Sequence, residues 1–455
     1  MQILGLRRKQ HPVEGAPLRS AARPGSCQAR RYRLVATGAV LALVSGGVAA
    51  CSSGGSAGGS KNVITFANWA AAETNTAPGV AAMIKKYESL HPGITIKSEP
   101  ISFTDIDQQL VGEVKAGNPP DVAELQGGYT YDLAATGGLQ PLSSFATSSW
   151  QSSIIPRELG LGKISGQQVA IPWTVAPLAL WYNKTVMRKA GLKPTPPATW
   201  AQLLTDAKAI HAKEPKVIVL GNDTTSREYG LDVNWPIMRS FGAVAFSGTK
   251  ATANTPAMQK YLTFIRTIGK DGYTPENQKQ GFFRQPAASN QVAFTIDGPY
   301  VKGVVQSLNH ASNQAFYQTW AAAPLPTATG THYSIPTDHQ LVMFKNSPNK
   351  KAAWEFMNWL ATSPYAVSHY TIPYEGSIPP LAHPSGTVAG LLNNPVSQVF
   401  VKQIVPEVVI PAWGASYSAA YADVMAGIQN AMISSTPIPS VASTMQTAVT
   451  GDVSG

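Results

Sequence analysis

Val63-Ile64-Thr65-Phe66, Gly79 to Leu90, Ile94-Thr95-Ile96-Lys97, Asp105 to Ala116 and Asp121-Val122-Ala123-Glu124-Leu125 follow one another between residues 63 and 125. The first, third and fifth segments are short, mostly apolar runs and read as buried strands. The second and fourth read as helices, stopped by His91-Pro92-Gly93 and by Gly117-Asn118-Pro119-Pro120. Strand alternating with helix predicts a largely parallel sheet with crossover helices, hence an α/β fold. Ligands of such sheets bind beyond the carboxyl ends of the strands. That rule makes Asn68, Trp69 and Glu73 candidates after the first strand, and Gln126 to Tyr129 after the third.

A second unit starts near Val175. Ala179-Leu180-Trp181-Tyr182 and Val217 to Leu220 read as strands, and so does Val292 to Ile296, which runs into the sharp turn Asp297-Gly298-Pro299-Tyr300. Thr199 is placed as an N-cap with Gln202 completing a capping box, and Pro256 opens a helix behind Thr255. Asn349 to Leu360 is an amphipathic helix, Ser363-Pro364 opens another, and the chain reads as helical from Pro411 to its end. No repeat at a solenoid period is visible.

Upstream, Arg30, Arg31 and Arg33 precede an uncharged run, Leu34 to Ala50, and then Val48-Ala49-Ala50-Cys51. Charge, a short apolar run and small residues before a cut make a secretory signal. The cysteine after the small residues resembles a bacterial lipoprotein lipobox, which implies residues 1–50 as a signal peptide and lipid on Cys51. At 17 residues, Leu34 to Ala50 is marginal for a permanent membrane span, the alternative reading. The Arg-Arg pair resembles a twin-arginine export signal, so the export route stays open. Residues 51–60, rich in Gly and Ser, form a flexible tether that reaches roughly 15–20 Å.

The formal charge of +10 is misleading over the whole chain. Residues 1–33 hold eight Arg and Lys against Glu14 and account for +7 of it, leaving about +3 for the remainder. Nucleic acid is therefore not an expected partner. Of the two cysteines, Cys27 lies in the signal and Cys51 is the lipidation candidate, so neither disulfide nor cysteine-bound metal is expected. The length expected after the signal exceeds what one core usually fills and predicts two domains.

Motifs of catalysis are missing. There is no His-Glu-x-x-His, no Gly-x-Ser-x-Gly and no P-loop; Gly160-x-Gly162 fails the dinucleotide fingerprint at Ser165. The histidines are scattered, with no pair at metal-ligand spacing on a helix. Paired carboxylates stay open, because any two acids can meet in space.

Several ordered segments then resemble one family. They are Val169-Ala170-Ile171-Pro172-Trp173, Leu180-Trp181-Tyr182-Asn183-Lys184 with Ala190-Gly191-Leu192, Pro196-Pro197-Ala198-Thr199-Trp200, Ala116 to Val122, Val292 to Tyr300, Lys345 to Phe356, and Gly376-Ser377-Ile378-Pro379. In this order across residues 61–450 they resemble the extracellular sugar-binding proteins of ABC importers, solute-binding family 1, which includes maltose-binding protein. The resemblance implies a two-lobed periplasmic-binding-protein fold of type II-like build, with hinge-connected, discontinuous lobes around a central ligand cleft. It implies lobe 1 from residues 61–174 plus 298–335 and lobe 2 from 175–297 plus 336–455. Crossings are expected near Trp173–Ala176, Asp297–Tyr300 and Pro324–Thr337, and closure about them is hinge motion. The implied function is capture of a carbohydrate, a di- or oligosaccharide, for an ABC permease by a lipid-anchored monomer outside the cell membrane, with no catalysis and no cofactor.

A sugar offers polar edges and apolar faces, so its site needs aromatic plates and hydroxyl partners. Trp181, Trp200, Trp354 and Trp359 read as core. Trp69, Trp173 and Trp413 follow strand ends or flank Pro or Gly and are candidate cleft rings. Tyr300 stands where the family relative stacks an aromatic, and Tyr417 or Tyr421 on the late helix is expected to stack. Trp235-Pro236 resembles a helix start, with Asp232 and Asn234 as the nearer contacts. Glu124, Gln126, Asp297, Asp338 and Glu375 are polar candidates at strand ends or turns, Asp338-His339 stands where many family relatives have small residues and would add ligand contacts, and Gly376 would let ligand reach backbone N–H groups. Three rivals remain: a phosphate-bearing solute, for which only Arg227 and Arg239 flank an expected cleft segment; a secreted hydrolase or lyase; and an adhesion or sensor protein.

Overall fold

The computed structural model describes residues 62–412 and 417–453. Residues 1–60 with Cys51, and also Trp413, lie outside the described residues. Two sheets organise the chain. Their strands are β1 Val63–Asn68, β2 Thr95–Pro100, β3 Val122–Gln126, β4 Ala170–Thr174, β5 Ala179–Asn183, β6 Ile218–Gly221, β7 Val292–Asp297, β8 Trp320–Ala323 and β9 His339–Met343.

The first sheet has the order β2-β1-β3-β9-β4. β1 is parallel to β2 and β3, and β9 runs antiparallel between β3 and β4. Both faces of this sheet are covered at its centre, so β3, β4 and β9 are buried along their whole length, while the edge strand β2 stays partly exposed. Alternate residues still divide between two cores. Ile64, Phe66, Val122, Leu341 and Met343 enter one core with Ile171 and Trp173, whereas Ala67, Ala123, Leu125 and Val342 enter the other. The second sheet, β8-β5-β7-β6, pairs β7 parallel with β6 and antiparallel with β5.

Helices α1, Ala77–Leu90, and α2, Ile106–Ala116, lie where the sequence predicts them. α1 buries Val80, Met83 and Tyr87, a helical spacing. α2 ends at Gly117, whose φ of 79° is left-handed and costs glycine little. α3, Gly127–Ala135, follows β3 directly. α4, Trp200–Lys213, is capped by Thr199, whose hydroxyl accepts from the Gln202 N–H at 3.1 Å. α5, Glu228–Ser240, carries Pro236 in its interior. Its start is therefore at Glu228, upstream of the expected Trp235-Pro236. α6, Pro256–Lys270, α7, Lys350–Thr362, α8, Tyr417–Ile433, and α9, Ile438–Val453, complete the principal helices. The late chain is two helices instead of one continuous helical run.

The expected division of lobes does not follow the sheets. β8 falls within 298–335, assigned to lobe 1, yet it pairs with β5 of the second sheet. β9 and α7 fall within 336–455, assigned to lobe 2, yet β9 pairs in the first sheet and α7 packs on its core through Phe356 and Leu360. Sequence order alone could not show which sheet edge a returning strand would take. No helix among the described residues is long and apolar enough to cross a membrane.

Candidate functional site

Segments leaving the strand ends of both sheets enclose a cavity of about 590 Å³. From the first sheet come Trp69 after β1, Phe103 after β2, and Gln126 and Tyr129 at the β3–α3 junction. His339 joins them because antiparallel β9 starts opposite Gln126, where β3 ends. From the second sheet come Asp223 after β6, Glu228 and Tyr229 at the start of α5, and Tyr300 after β7. Gln280, Arg284, Glu375 and Tyr421 complete much of the wall.

One end is a network of charges and phenols. Tyr229 Oη and Tyr300 Oη lie 2.7 Å apart, and the Gly298 N–H donates to Asp297 Oδ1 at 2.9 Å. The Arg284 guanidinium lies 5.6 Å from the centre of the Tyr300 ring. Burial opposes the Arg284 charge, but Asp297 and Glu73 hold it firmly protonated. His339 Nδ1 pairs with Glu124 Oε1 at 2.8 Å, and the Ala70 N–H donates to Glu124 Oε2 at 3.0 Å. Burial opposes the imidazolium as well, yet Glu375 and Glu124 raise it to about 9. Glu375 is raised by burial and accepts from Tyr370 Oη at 2.7 Å. Trp69 meets the His339 and Phe103 rings edge-on at 4.9 and 5.3 Å.

The other end holds Asp107 and Glu228. Burial, helped by neighbouring carboxylates, raises them to about 7 and about 8. The rings of Phe103 and Tyr129 lie beside them, 5.6 Å apart.

Of the residues singled out in the sequence, Trp69, Glu73, Gln126, Tyr300, His339, Glu375 and Tyr421 line the cavity. Asp297 sits directly behind Tyr300 and Tyr229, fully buried. Asp232 and Tyr417 hold each other, with the Tyr417 hydroxyl donating at 2.9 Å. The remaining described candidates are elsewhere. Asn68 turns back to accept from the Ala71 N–H at 2.7 Å and shapes the loop that presents Trp69. Trp173 is buried and stacked on Tyr370 at 5.3 Å, because β4 presents it to the sheet's core. Asn234 is spent inside α5 on the Asp223 and Gly230 carbonyls. Asp338 accepts from the Ala176 N–H beside Glu158. Gly376, at φ 69°, packs on the Pro299-Tyr300 backbone, where an added Cβ would stand 3.1 Å from the Pro299 oxygen.

Sequence reasoning missed Phe103, Glu228, Tyr229, Gln280 and Arg284. Phe103 was within reach of the strand-end rule applied to β2, and Glu228-Tyr229 of the same rule applied to β6. Arg284 gave no such signal, since Gln280–Phe283 and the short helix after it only become cleft wall through packing. Arg239, expected at the cleft, instead lies over the Tyr333 ring at 5.2 Å.

Two α/β lobes facing across a lined cleft are the architecture of two-lobed binding proteins of the maltose-binding type. A family model described as bacterial extracellular solute-binding protein matches residues 70–367, and the chain belongs to that family. A binding protein of Brucella abortus (strain 2308) is 25% identical over 296 residues, covering 63% of this chain and 69% of that one. The crystal structure of an ABC transporter solute-binding protein from Thermotoga lettingae TMO, bound with α-D-tagatose, superposes with a TM-score of 0.75 at 21% identity, covering 86% of this chain and 100% of that one. The GacH receptor of Streptomyces glaucescens GLA.O, solved unliganded and with acarbose, gives 0.74 at 19% identity, covering 86% and 98%.

Proposed function

We propose that the chain captures a carbohydrate, a di- or oligosaccharide, in this cleft and delivers it to an ABC importer. In this reading lipid on Cys51 holds it outside the cell membrane, it works as a monomer, and no reaction is catalysed. The observation that carries the proposal is the pairing of ring faces with buried and half-buried carboxylates. Trp69, Phe103, Tyr129, Tyr229, Tyr300 and Tyr421 offer apolar plates, while Glu73, Glu375, Asp107 and Glu228 offer acceptors for hydroxyls. The cavity volume falls within the roughly 300–1,000 Å³ usual for small-molecule sites. The sugars in the two related crystal structures support the same class.

The phosphate-bearing alternative is disfavoured by this wall. Arg284, its best-placed cation, is engaged by Asp297 and Glu73, and a phosphate would enter among carboxylates.

A thermal-shift panel of glycans on the purified protein tests the reading, followed by chromatography of the recovered sugar. A stabilising sugar recovered intact supports it. Silence across the panel, or a cleaved sugar, counts against it.

A further inference from the structure

The cations of the cleft are matched to acids, but not all its acids are matched to cations. Arg284 faces Asp297 and Glu73, His339 faces Glu375, Glu124 and Glu73, and Arg227 faces Asp223. Lys279 is exposed at the rim. Asp107 on α2 and Glu228 on α5 belong to opposite lobes and line the same cavity. The charges acting on them are carboxylates: Asp132 on Asp107, and Asp232, Asp132 and Asp107 on Glu228.

The rings around them are an independent observation. Phe103 lies 5.6 Å from Tyr129 and meets Tyr229 edge-on at 6.1 Å, so aromatic rings from both lobes come together here. Tyr129 and Tyr421 line the same cavity as Glu228, and both phenols sense its charge. Asp107 Oδ1 is buried and has no hydrogen-bond partner.

Carboxylates drawn together out of water repel one another and resist ionisation. A cation between them removes both penalties, gains charge-assisted hydrogen bonds and meets the negative faces of the rings. A neutral hydroxyl gains only the hydrogen bond. A metal ion fits less well, since no cluster of three or more metal-capable side chains exists among the described residues. We propose that the ligand is an amino sugar, whose protonated amine is held between Asp107 and Glu228 beside the rings of Phe103, Tyr129 and Tyr421. The proposal rests on the carbohydrate reading and sharpens it to a substrate class.

Three ligand series with one skeleton separate the possibilities. Oligomers and monomers of β-1,4-linked glucosamine, N-acetylglucosamine and glucose differ at one carbon, which bears ammonium, acetamido or hydroxyl. Each is titrated calorimetrically into the full protein at low ionic strength, beside the neutral glycan panel. The ammonium member should bind at least about tenfold more tightly than its two counterparts, the scale of one charge-assisted hydrogen bond. Asp107→Asn and Glu228→Gln should each narrow that ratio; the wild-type comparison itself needs no variant. Equal or tighter binding of the acetamido or hydroxyl member overturns the amine assignment and leaves the carbohydrate reading standing. The same holds if the ammonium series is silent while a neutral glycan binds. Silence from every sugar overturns both.

Discussion

Gln126 Nε2 donates to Asp232 Oδ2 at 2.7 Å, joining the end of β3 in one lobe to α5 in the other. The Tyr417 hydroxyl holds the second oxygen of the same carboxylate. Asp232 is therefore a buried acceptor clamped from both sides, and burial still raises it to about 7. Hydrogen bonds to a charged group contribute about 1.5–3 kcal/mol. Asp232→Ala is expected to loosen the lobes, giving a larger radius of gyration by small-angle scattering and roughly tenfold weaker ligand binding. An unchanged radius together with unchanged affinity would refute the clamp.

Gly128 approaches the same tyrosine. A Cβ there would stand 2.8 Å from Tyr417 Cε1. Gly128→Ala must push that ring aside, so it should weaken ligand binding in titration calorimetry while the melting temperature moves little. A large loss of melting temperature with full affinity would assign the glycine to folding alone.

The His339–Glu124 pair sets a pH dependence. The value of about 9 for His339 lies above the ordinary 6.5. Its stabilising contribution is fully present below about pH 6.5 and is lost as pH rises through about 9. Glu124 is raised by burial against the pull of His339, which slopes the same way. The melting temperature should fall from pH 6.5 to 9. His339→Gln should flatten that fall and cost about 3–5 kcal/mol, because Glu124 loses its partner in the interior. A variant with the wild-type slope would show that the pair does not govern it.

Trp173→Ala opens a hole between Tyr370 and the first sheet's core. Removing so large a buried ring costs about 3–5 kcal/mol. Urea denaturation should register that loss, and ligand affinity of the folded fraction should stay near wild type. A weakened affinity at wild-type stability would move Trp173 into the site.

Rings at the cavity should behave in the opposite way. Tyr300→Ala and Trp69→Ala are expected to weaken a bound sugar by about 2 kcal/mol or more, as buried anchors do. Tyr300→Phe keeps the ring and removes the hydroxyl, with its 2.7 Å bond to Tyr229 and its bonds to Asp297 and Thr337, and should cost less. Full affinity in Tyr300→Ala would take that ring out of the site.

What the sequence determined by itself was local. The runs at Val63, Thr95 and Val122, the stops at His91 and Gly117, and the cap at Thr199 are short-range chemistry, and each is where the chain announces it. The carboxyl-end rule reached Trp69, Glu73 and Gln126 because a parallel strand exposes what immediately follows it. Tertiary structure decided the rest. Trp173 sits on the core side of its strand and Asn234 on the inner side of its helix, and a strand end alone does not say which way a side chain turns. The lobe of β8 and β9, and the meeting of Arg284 with Asp297 or of Asp107 with Glu228, depend on contacts between segments far apart in the chain, whose energies no local pattern records.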